Sequence, residues 1–270
     1  MRFPRCYRLF SVIALSSLSF VAFAQATPQY EVGIGAYYAA GDFGLDSDTK
    51  LAYVPVSFAM EAGSWRGQIT ASKVAARGAG NVLVNIGGLT KAVAADDSAW
   101  RGSTGDTLLE LSYSLTDGIL ESIFGANAVG DLSVGARASV KLPTASVEKG
   151  LGTGERDTSL QIDSSYFWGR HLLFASLGYS HRGVSPIYAD IQSSGFLQLG
   201  VARSLNERFS LGAIYDYRQT ASHFYNDAKE LSAYGSWEID QHWTMSSLVS
   251  VGLNDASSDF GVYWLLNYRW

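Results

Sequence analysis

The chain has 270 residues, 47% of them apolar and only 17% charged, with 28 glycines, 5 prolines and 13% aromatics. That balance excludes an intrinsically disordered chain, which needs low hydrophobicity and high net charge. The longest apolar stretch falls short of the roughly 18 residues that a membrane-spanning helix requires. Helix-period patterns are nearly absent, so an ordinary α/β enzyme is a poor match and a glycine- and aromatic-rich β protein remains.

Arg2, Arg5 and Arg8 precede the apolar run from Leu9 to Leu15, and Ala22-Phe23-Ala24 or Ala24-Gln25-Ala26 offers a small-residue cleavage site. This layout predicts a secretory signal peptide over residues 1–24, with cleavage after 24 or after 26, and a single domain over residues 25–270. The lone cysteine, Cys6, lies in the basic segment, so neither disulfides nor a thiol nucleophile are expected in the mature chain. Loss of the three leader arginines leaves 17 basic against 25 acidic residues, a net charge of −8. A nucleic-acid partner is not expected of such a chain.

From Gln29 onward the sequence alternates with the period of a two-faced strand. About twelve segments read this way: 29–39, 51–61, 65–74, 106–115, 131–142, 156–168, 171–181, 194–204, 208–219, 228–239, 242–253 and 260–270. In the fifth, Leu132, Val134, Ala136, Ala138, Val140 and Leu142 oppose Ser133, Gly135, Arg137, Ser139 and Lys141. Pro55 interrupts the second segment, because it cannot donate a ladder hydrogen bond. That strand is expected to begin near Val56 or to bulge there. Connections 61–65, 168–171, 205–208 and 239–242 are tight, whereas 41–50, 75–105, 143–155, 182–193, 220–227 and 254–259 read as long polar loops. The connection from Thr116 to Gly130 is the one long member of the short side, with room for a turn of helix. Short turns on one side and long loops on the other predict an all-β, transmembrane antiparallel β-barrel of about twelve strands, with short periplasmic turns and long extracellular loops.

Trp65, Trp168, Trp237, Trp243 and Trp270 all fall in the apolar register at the short-turn ends. A bilayer interface collects indoles at one level, so these residues are expected to form a girdle. Tyr38, Tyr179, Tyr215 and Tyr217 would form its counterpart near the loops. At the C-terminus, Val262, Trp264, Leu266, Tyr268 and Trp270 alternate with Tyr263, Leu265, Asn267 and Arg269. A closed barrel must pair its last strand with its first to leave no open edge in lipid. Trp264, Leu266, Tyr268 and Trp270 are similar to the terminal signal that bacterial outer-membrane proteins present to the barrel assembly machinery.

If the apolar register meets lipid, the other lines the lumen. Its charged members are Glu31, Arg66, Glu110, Arg137, Lys141, Asp163, Asp216, Arg218, Glu230, Glu238 and Arg269. Tyr37, Leu108, Phe167, Phe174, Tyr234, Leu248, Tyr263 and Leu265 fall on the same side. Barrels of about 8 strands are filled, while 16–18 strands leave a channel, so twelve with apolar residues inside predicts a constricted lumen. Arg137, Lys141, Asp163, Asp216, Arg218, Glu230 and Arg269 are the lumen residues expected to bear on transport.

Catalytic and metal sites find little support. His171, His181, His223 and His242 make no Ser/His/acid spacing and no His-x-x-His or His-x-x-x-His pair, so no catalytic residue, metal or cofactor is assigned. His181, with Ser180 and Ser185 near it in sequence, is the best placed of the four. The glycine-rich run from Lys149 to Asp157 lacks the Gly-Lys-Ser/Thr ending of a phosphate cradle and reads as a flexible extracellular loop.

Ser139-Val140-Lys141-Leu142-Pro143-Thr144-Ala145, then Lys149-Gly150-Leu151-Gly152-Thr153-Gly154 and Asp157, resembles the central signature of a Gram-negative outer-membrane family. It is the family named for the meta-pathway of phenol degradation, whose members are often labelled transporters. Gly105-Asp106, Leu177-Gly178-Tyr179, Tyr215-Asp216-Tyr217-Arg218-Gln219, Asp227-Ala228-Lys229-Glu230-Leu231 and Ala256-Ser257-Ser258-Asp259-Phe260-Gly261 extend the likeness. It covers roughly residues 105–270. The resemblance implies an outer-membrane barrel that moves small, often aromatic, compounds, and it carries no catalytic residues.

The expected function is therefore an outer-membrane transporter or channel for small, aromatic or hydrophobic solutes. Its expected partners are outer-membrane lipid and lipopolysaccharide, the assembly machinery and the solute, and it is expected to be monomeric. The alternative is a scaffold barrel that binds a periplasmic partner through Thr116 to Gly130, where Ile119, Leu120, Ile123 and Phe124 cluster. A third reading, an outer-membrane lipid hydrolase, needs His181 or His223 beside a lumen-edge serine.

Overall fold

The computed structural model describes residues 27–43, 48–86, 89–124, 130–184, 191–221 and 226–270, so the expected leader lies outside the described residues. These form strands β1 (Gln29–Gly41), β2 (Thr49–Ala62), β3 (Trp65–Ile86), β4 (Leu89–Thr104), β5 (Thr107–Ser114), β6 (Leu132–Leu142) and β7 (Asp157–Trp168). They continue as β8 (His171–His181), β9 (Ser194–Ser204), β10 (Phe209–Arg218), β11 (Ala228–Glu238), β12 (Trp243–Gly252) and β13 (Phe260–Arg269). Every neighbouring pair is antiparallel. The first strand meets the last from Glu31↔Arg269 to Ala40↔Phe260. With β2 also paired to β3, the wall closes on itself.

The wall has twelve positions, because β4 and β5 share one. Trp65–Thr70 of β3 pair with Tyr113–Leu108 of β5, and from Lys73 onward β3 pairs with β4. Residues 75–105, expected as a loop, are therefore mostly a hairpin that prolongs β3 beyond the rest of the wall. Its alanine- and glycine-rich sequence lacks period-two contrast, and pairing with its own return strand satisfies the backbone without that contrast.

Pro55 also departs from expectation. The second strand begins at Thr49, and Pro55 pairs with Ser72 in an unbroken β2–β3 register. On the other side the ladder skips from Ile34↔Val56 to Tyr37↔Tyr53, so the missing N–H donor coincides with a gap toward β1. A Cβ at Gly35, inside that gap, would stand 3.0 Å from the Pro55 Cγ.

Alternation sorts the side chains as a membrane barrel requires. Val32, Ile34, Val54, Val56, Leu199, Val201, Val249 and Val251 are exposed on the outer face. The five girdle tryptophans are all exposed as well. Trp65 rests on Tyr113 at 4.6 Å between ring centroids, Trp243 on Tyr268 at 4.8 Å, and Trp270 on Tyr30 at 5.8 Å. The aromatic belt at the short-turn end thus crosses the closing seam.

Inside, large rings sit over glycines directly across the ladder. Phe174 faces Gly200, Phe196 faces Gly178 and Tyr234 faces Gly212. A Cβ on Gly200 would collide with the Phe174 ring. Gly200→Val should therefore destabilise the barrel by about 1–3 kcal/mol through overpacking. Urea unfolding in lipid vesicles, followed by tryptophan fluorescence, measures this, and an unchanged midpoint would contradict the packing described.

Candidate functional site: the barrel lumen

The inward register places charges at three levels of the wall. At the short-turn end Glu31 accepts hydrogen bonds from Arg66 Nη2 at 2.9 Å and Arg269 Nη2 at 2.8 Å, and Glu61 lies 3.6 Å from Arg66. This network ties the closing strands β13, β1, β2 and β3 together from within.

Midway up the opposite wall, Arg137 stands between Glu110 at 3.4 Å and Asp163 at 3.1 Å. Asp163 also accepts a hydrogen bond from Ser176 Oγ at 2.6 Å. Near the mouth, Lys141 Nζ lies 2.8 Å from Asp157 and 3.6 Å from Asp106, and donates to Thr153 Oγ1 at 2.9 Å. Across the lumen Asp216 accepts from Gln198 Nε2 at 2.9 Å and lies 3.8 Å from Arg218, while Ser258 Oγ donates to Glu230 at 3.1 Å. The Arg218 guanidinium also covers the Phe196 ring at 5.5 Å.

All seven residues singled out from the sequence thus line the lumen. Arg137 meets Asp163 and Arg218 meets Asp216. Lys141 and Arg269 pair with Asp157 and Glu31, which were outside that set. Sequence reasoning left out Asp106, Asp157, Glu61 and Tyr53 as lumen residues. Asp106 and Asp157 sit at loop-side strand starts, at the level of Lys141, so charge complementarity across the register was the available signal. Tyr53 was obscured by the uncertain register around Pro55.

Between the charged walls lies an apolar and aromatic filling. Tyr37, Tyr53, Phe174, Tyr234, Leu248 and Tyr263 are buried in one cluster, with Phe167 and Leu265 packed against it. Tyr37 and Tyr263 approach at 6.2 Å, Phe174 and Tyr234 at 6.5 Å.

The mouth is narrowed by the connection between β6 and β7. Contrary to a flexible extracellular loop, this glycine-rich segment folds inward, with Gly150, Leu151, Gly152 and Thr153 all buried. Leu151 joins the same apolar cluster as Phe43, Leu51 and Ala76. Ala145 N–H donates to Asp106 at 3.1 Å, Lys149 Nζ to the Gly102 carbonyl at 3.0 Å, and Arg101 to the Lys149 carbonyl at 3.0 Å. Gly152 permits the close approach, since a Cβ there would stand 2.7 Å from that of Ala145. On the rim, Asp227 accepts from the Tyr217 hydroxyl and the Thr220 N–H, and both bonds hold its carboxyl below the usual carboxylate range.

His181 Nδ1 lies 3.1 Å from Ser193 Oγ, at the exposed loop end of β8. That oxygen already accepts the Arg182 N–H, and among the described residues no carboxylate hydrogen-bonds the His181 ring. Among the described residues this arrangement shows no orienting third group of a hydrolase, and Ser185 lies outside them. His223 lies outside the described residues. Among those residues no group of three His, Cys, Asp or Glu is placed to hold a metal ion. The connection after β5 does hold helical turns over Thr116–Leu120 and Glu121–Phe124, which leave Ile119 and Ile123 exposed.

No family model and no curated protein matches the sequence. Among solved structures, the NanC porin aligns with a TM-score of 0.50 at 9% identity, covering 87% of this chain and 97% of that one. The KdgM porin, in complex with disordered oligogalacturonate, aligns at 0.45 and 9% identity, covering 88% and 98%. The Pseudomonas putida toluene transporter TodX aligns at 0.45 and 12% identity, covering 92% and 90%. The likeness to NanC is one of fold, and with the closed strand order it makes this chain a twelve-stranded antiparallel β-barrel of the outer-membrane type.

Proposed function

We propose that the protein is a non-catalytic outer-membrane channel for small solutes with an aromatic or weakly polar body. The observation that carries this reading is the ring-lined filling of the lumen, with Tyr37, Tyr53, Tyr234, Tyr263 and Phe174 buried between charged walls. Arg66, Arg137, Lys141, Arg218 and Arg269 each face a carboxylate, so their charges are largely spent within the wall. A solute passing such a lumen gains from ring faces and phenol hydroxyls more than from a net field. The resemblance to the phenol meta-pathway family supports the same solute class, and the terminal run Trp264, Leu266, Tyr268 and Trp270 serves recognition by the assembly machinery.

Proteoliposomes loaded with the full chain should admit 4-hydroxybenzoate several-fold faster than gluconate, both being anions that cross bare bilayers slowly. Equal rates would remove the aromatic preference. Uptake no faster than in empty vesicles would remove the channel.

A further inference from the structure

An open groove of about 1000 Å³ lies at the short-turn rim, between the turn joining β7 to β8 and the turn joining β9 to β10. It is lined by Arg170, Leu205, Glu207, Arg208, Phe209 and Trp237, with Ser204 and Asn206 behind them. The groove is built, not a chance gap between mobile side chains. The Ser204 N–H donates to the Arg170 carbonyl at 2.9 Å, and the Glu238 N–H to the Arg208 carbonyl at 2.8 Å. Asn206 Oδ1 accepts the N–H groups of Arg208 and Phe209, both at 2.8 Å, which fixes the turn. Phe209 pairs directly with Trp237 across the β10–β11 ladder, so both side chains project from the outer face.

The chemistry of this groove is amphipathic in one direction. Its upper wall, Phe209 and Trp237, continues onto the lipid-facing strip through the exposed Leu211. Its lower wall presents two guanidinium groups and one carboxylate from exposed turns. Neither guanidinium forms a hydrogen bond or ion pair among the described residues, and Arg208 only lends its field to Asp240 nearby. Guanidinium groups suit a phosphate diester, and a carboxylate beside them suits a primary ammonium.

We infer that this groove holds a glycerophospholipid with an ethanolamine headgroup, its phosphate between Arg170 and Arg208, its ammonium at Glu207 and its acyl chains along Phe209 and Trp237. The assignment rests on the membrane placement used in the proposed function but lies outside the lumen.

The test is native mass spectrometry of the full chain, released from bilayers of equal phosphatidylethanolamine, phosphatidylglycerol and phosphatidylcholine. The wild type should retain phosphatidylethanolamine preferentially. R170A/R208A should lose at least tenfold in retained lipid, and E207Q should shift the preference toward phosphatidylglycerol. Arg156→Ala, at the opposite end of the barrel, should change neither. Heat-modifiable gel mobility establishes that each variant is folded, and 4-hydroxybenzoate uptake reads the channel separately. A wild type indifferent to headgroup, or a folded double variant that retains lipid like the wild type, would overturn the assignment. So would full displacement by soluble glycerophosphoethanolamine at a concentration equal to that of the lipid, because the acyl chains would then contribute nothing.

Discussion

Asp163→Ala should cost the folded barrel about 3–5 kcal/mol, because it strands a buried guanidinium without its strongest partner. Arg137 and Asp163 are 7% and 3% exposed, and the carboxylate is held by Arg137, Ser176 and Gln161 together. Removing it takes away the nearer of two carboxylates at this guanidinium and leaves Glu110 at the longer distance of 3.4 Å. Both side chains are packed deep in the wall, so the stranded guanidinium is poorly placed to recover its hydration. Replacing all three charges together, Arg137→Met with Asp163→Leu and Glu110→Gln, should recover most of the loss, because a buried ion network is often no more stable than apolar and neutral groups of similar volume. Urea titration in lipid vesicles measures both. A loss below about 1 kcal/mol for Asp163→Ala would mean that solvent reaches this wall freely, as it does at an exposed salt bridge.

Leu151→Ala should raise solute passage several-fold while barely moving the global unfolding midpoint. Truncating a fully buried leucine costs about 2–5 kcal/mol. Here the loop itself can leave the mouth without unfolding the wall, so the cost appears as loop opening. Every 1.4 kcal/mol is roughly a tenfold change in the open population, which makes the effect large even if part of the cost is absorbed by repacking. The hydrogen bonds from Ala145 and Lys149 to Asp106 and Gly102 retain the loop's ends, so the expected state is a looser lid on an intact barrel. Single-channel current in planar bilayers and 4-hydroxybenzoate uptake both read it. An unchanged conductance with a lowered unfolding midpoint would show the loop to be part of the wall's stability and not a restriction on passage.

The two variants probe different depths of one design. The Arg137–Asp163 pair holds the middle of the lumen together across β6 and β7. Leu151 closes the space above it. If both predictions hold, passage is limited at the mouth and the charged walls chiefly position the rings between them.

Period-two contrast was enough to show which face of most strands meets lipid, the second strand around Pro55 and the β3–β4 hairpin excepted. A strand buried on one side and solvated on the other cannot slip by one residue without exchanging every side chain. That is why Arg137, Lys141, Asp163, Asp216 and Glu230 were legible as lumen residues, and why Trp65, Trp168, Trp237, Trp243 and Trp270 were legible as outward ones. The C-terminal alternation likewise announced the strand that closes on β1.

What needed the tertiary structure was everything that crosses the lumen or leaves the lipid-level pattern. The β3–β4 hairpin carries no strong apolar alternation, because its backbone is satisfied by its own return strand. The β6–β7 loop reads as a polar, glycine-rich tip, yet its burial depends on a single leucine, on the Arg101 guanidinium and Gly102 carbonyl of β4, and on the Asp106 carboxylate just before β5. Ion partners such as Glu31 with Arg269 are 238 positions apart and meet only because the sheet closes. The groove at Arg170 and Arg208 is likewise formed by separate hairpins brought side by side. A local pattern records which face of a strand is buried, since that is a property of neighbours two residues apart. Which residues meet across the closed wall is decided by register and closure, and those exist only once the whole cylinder has formed.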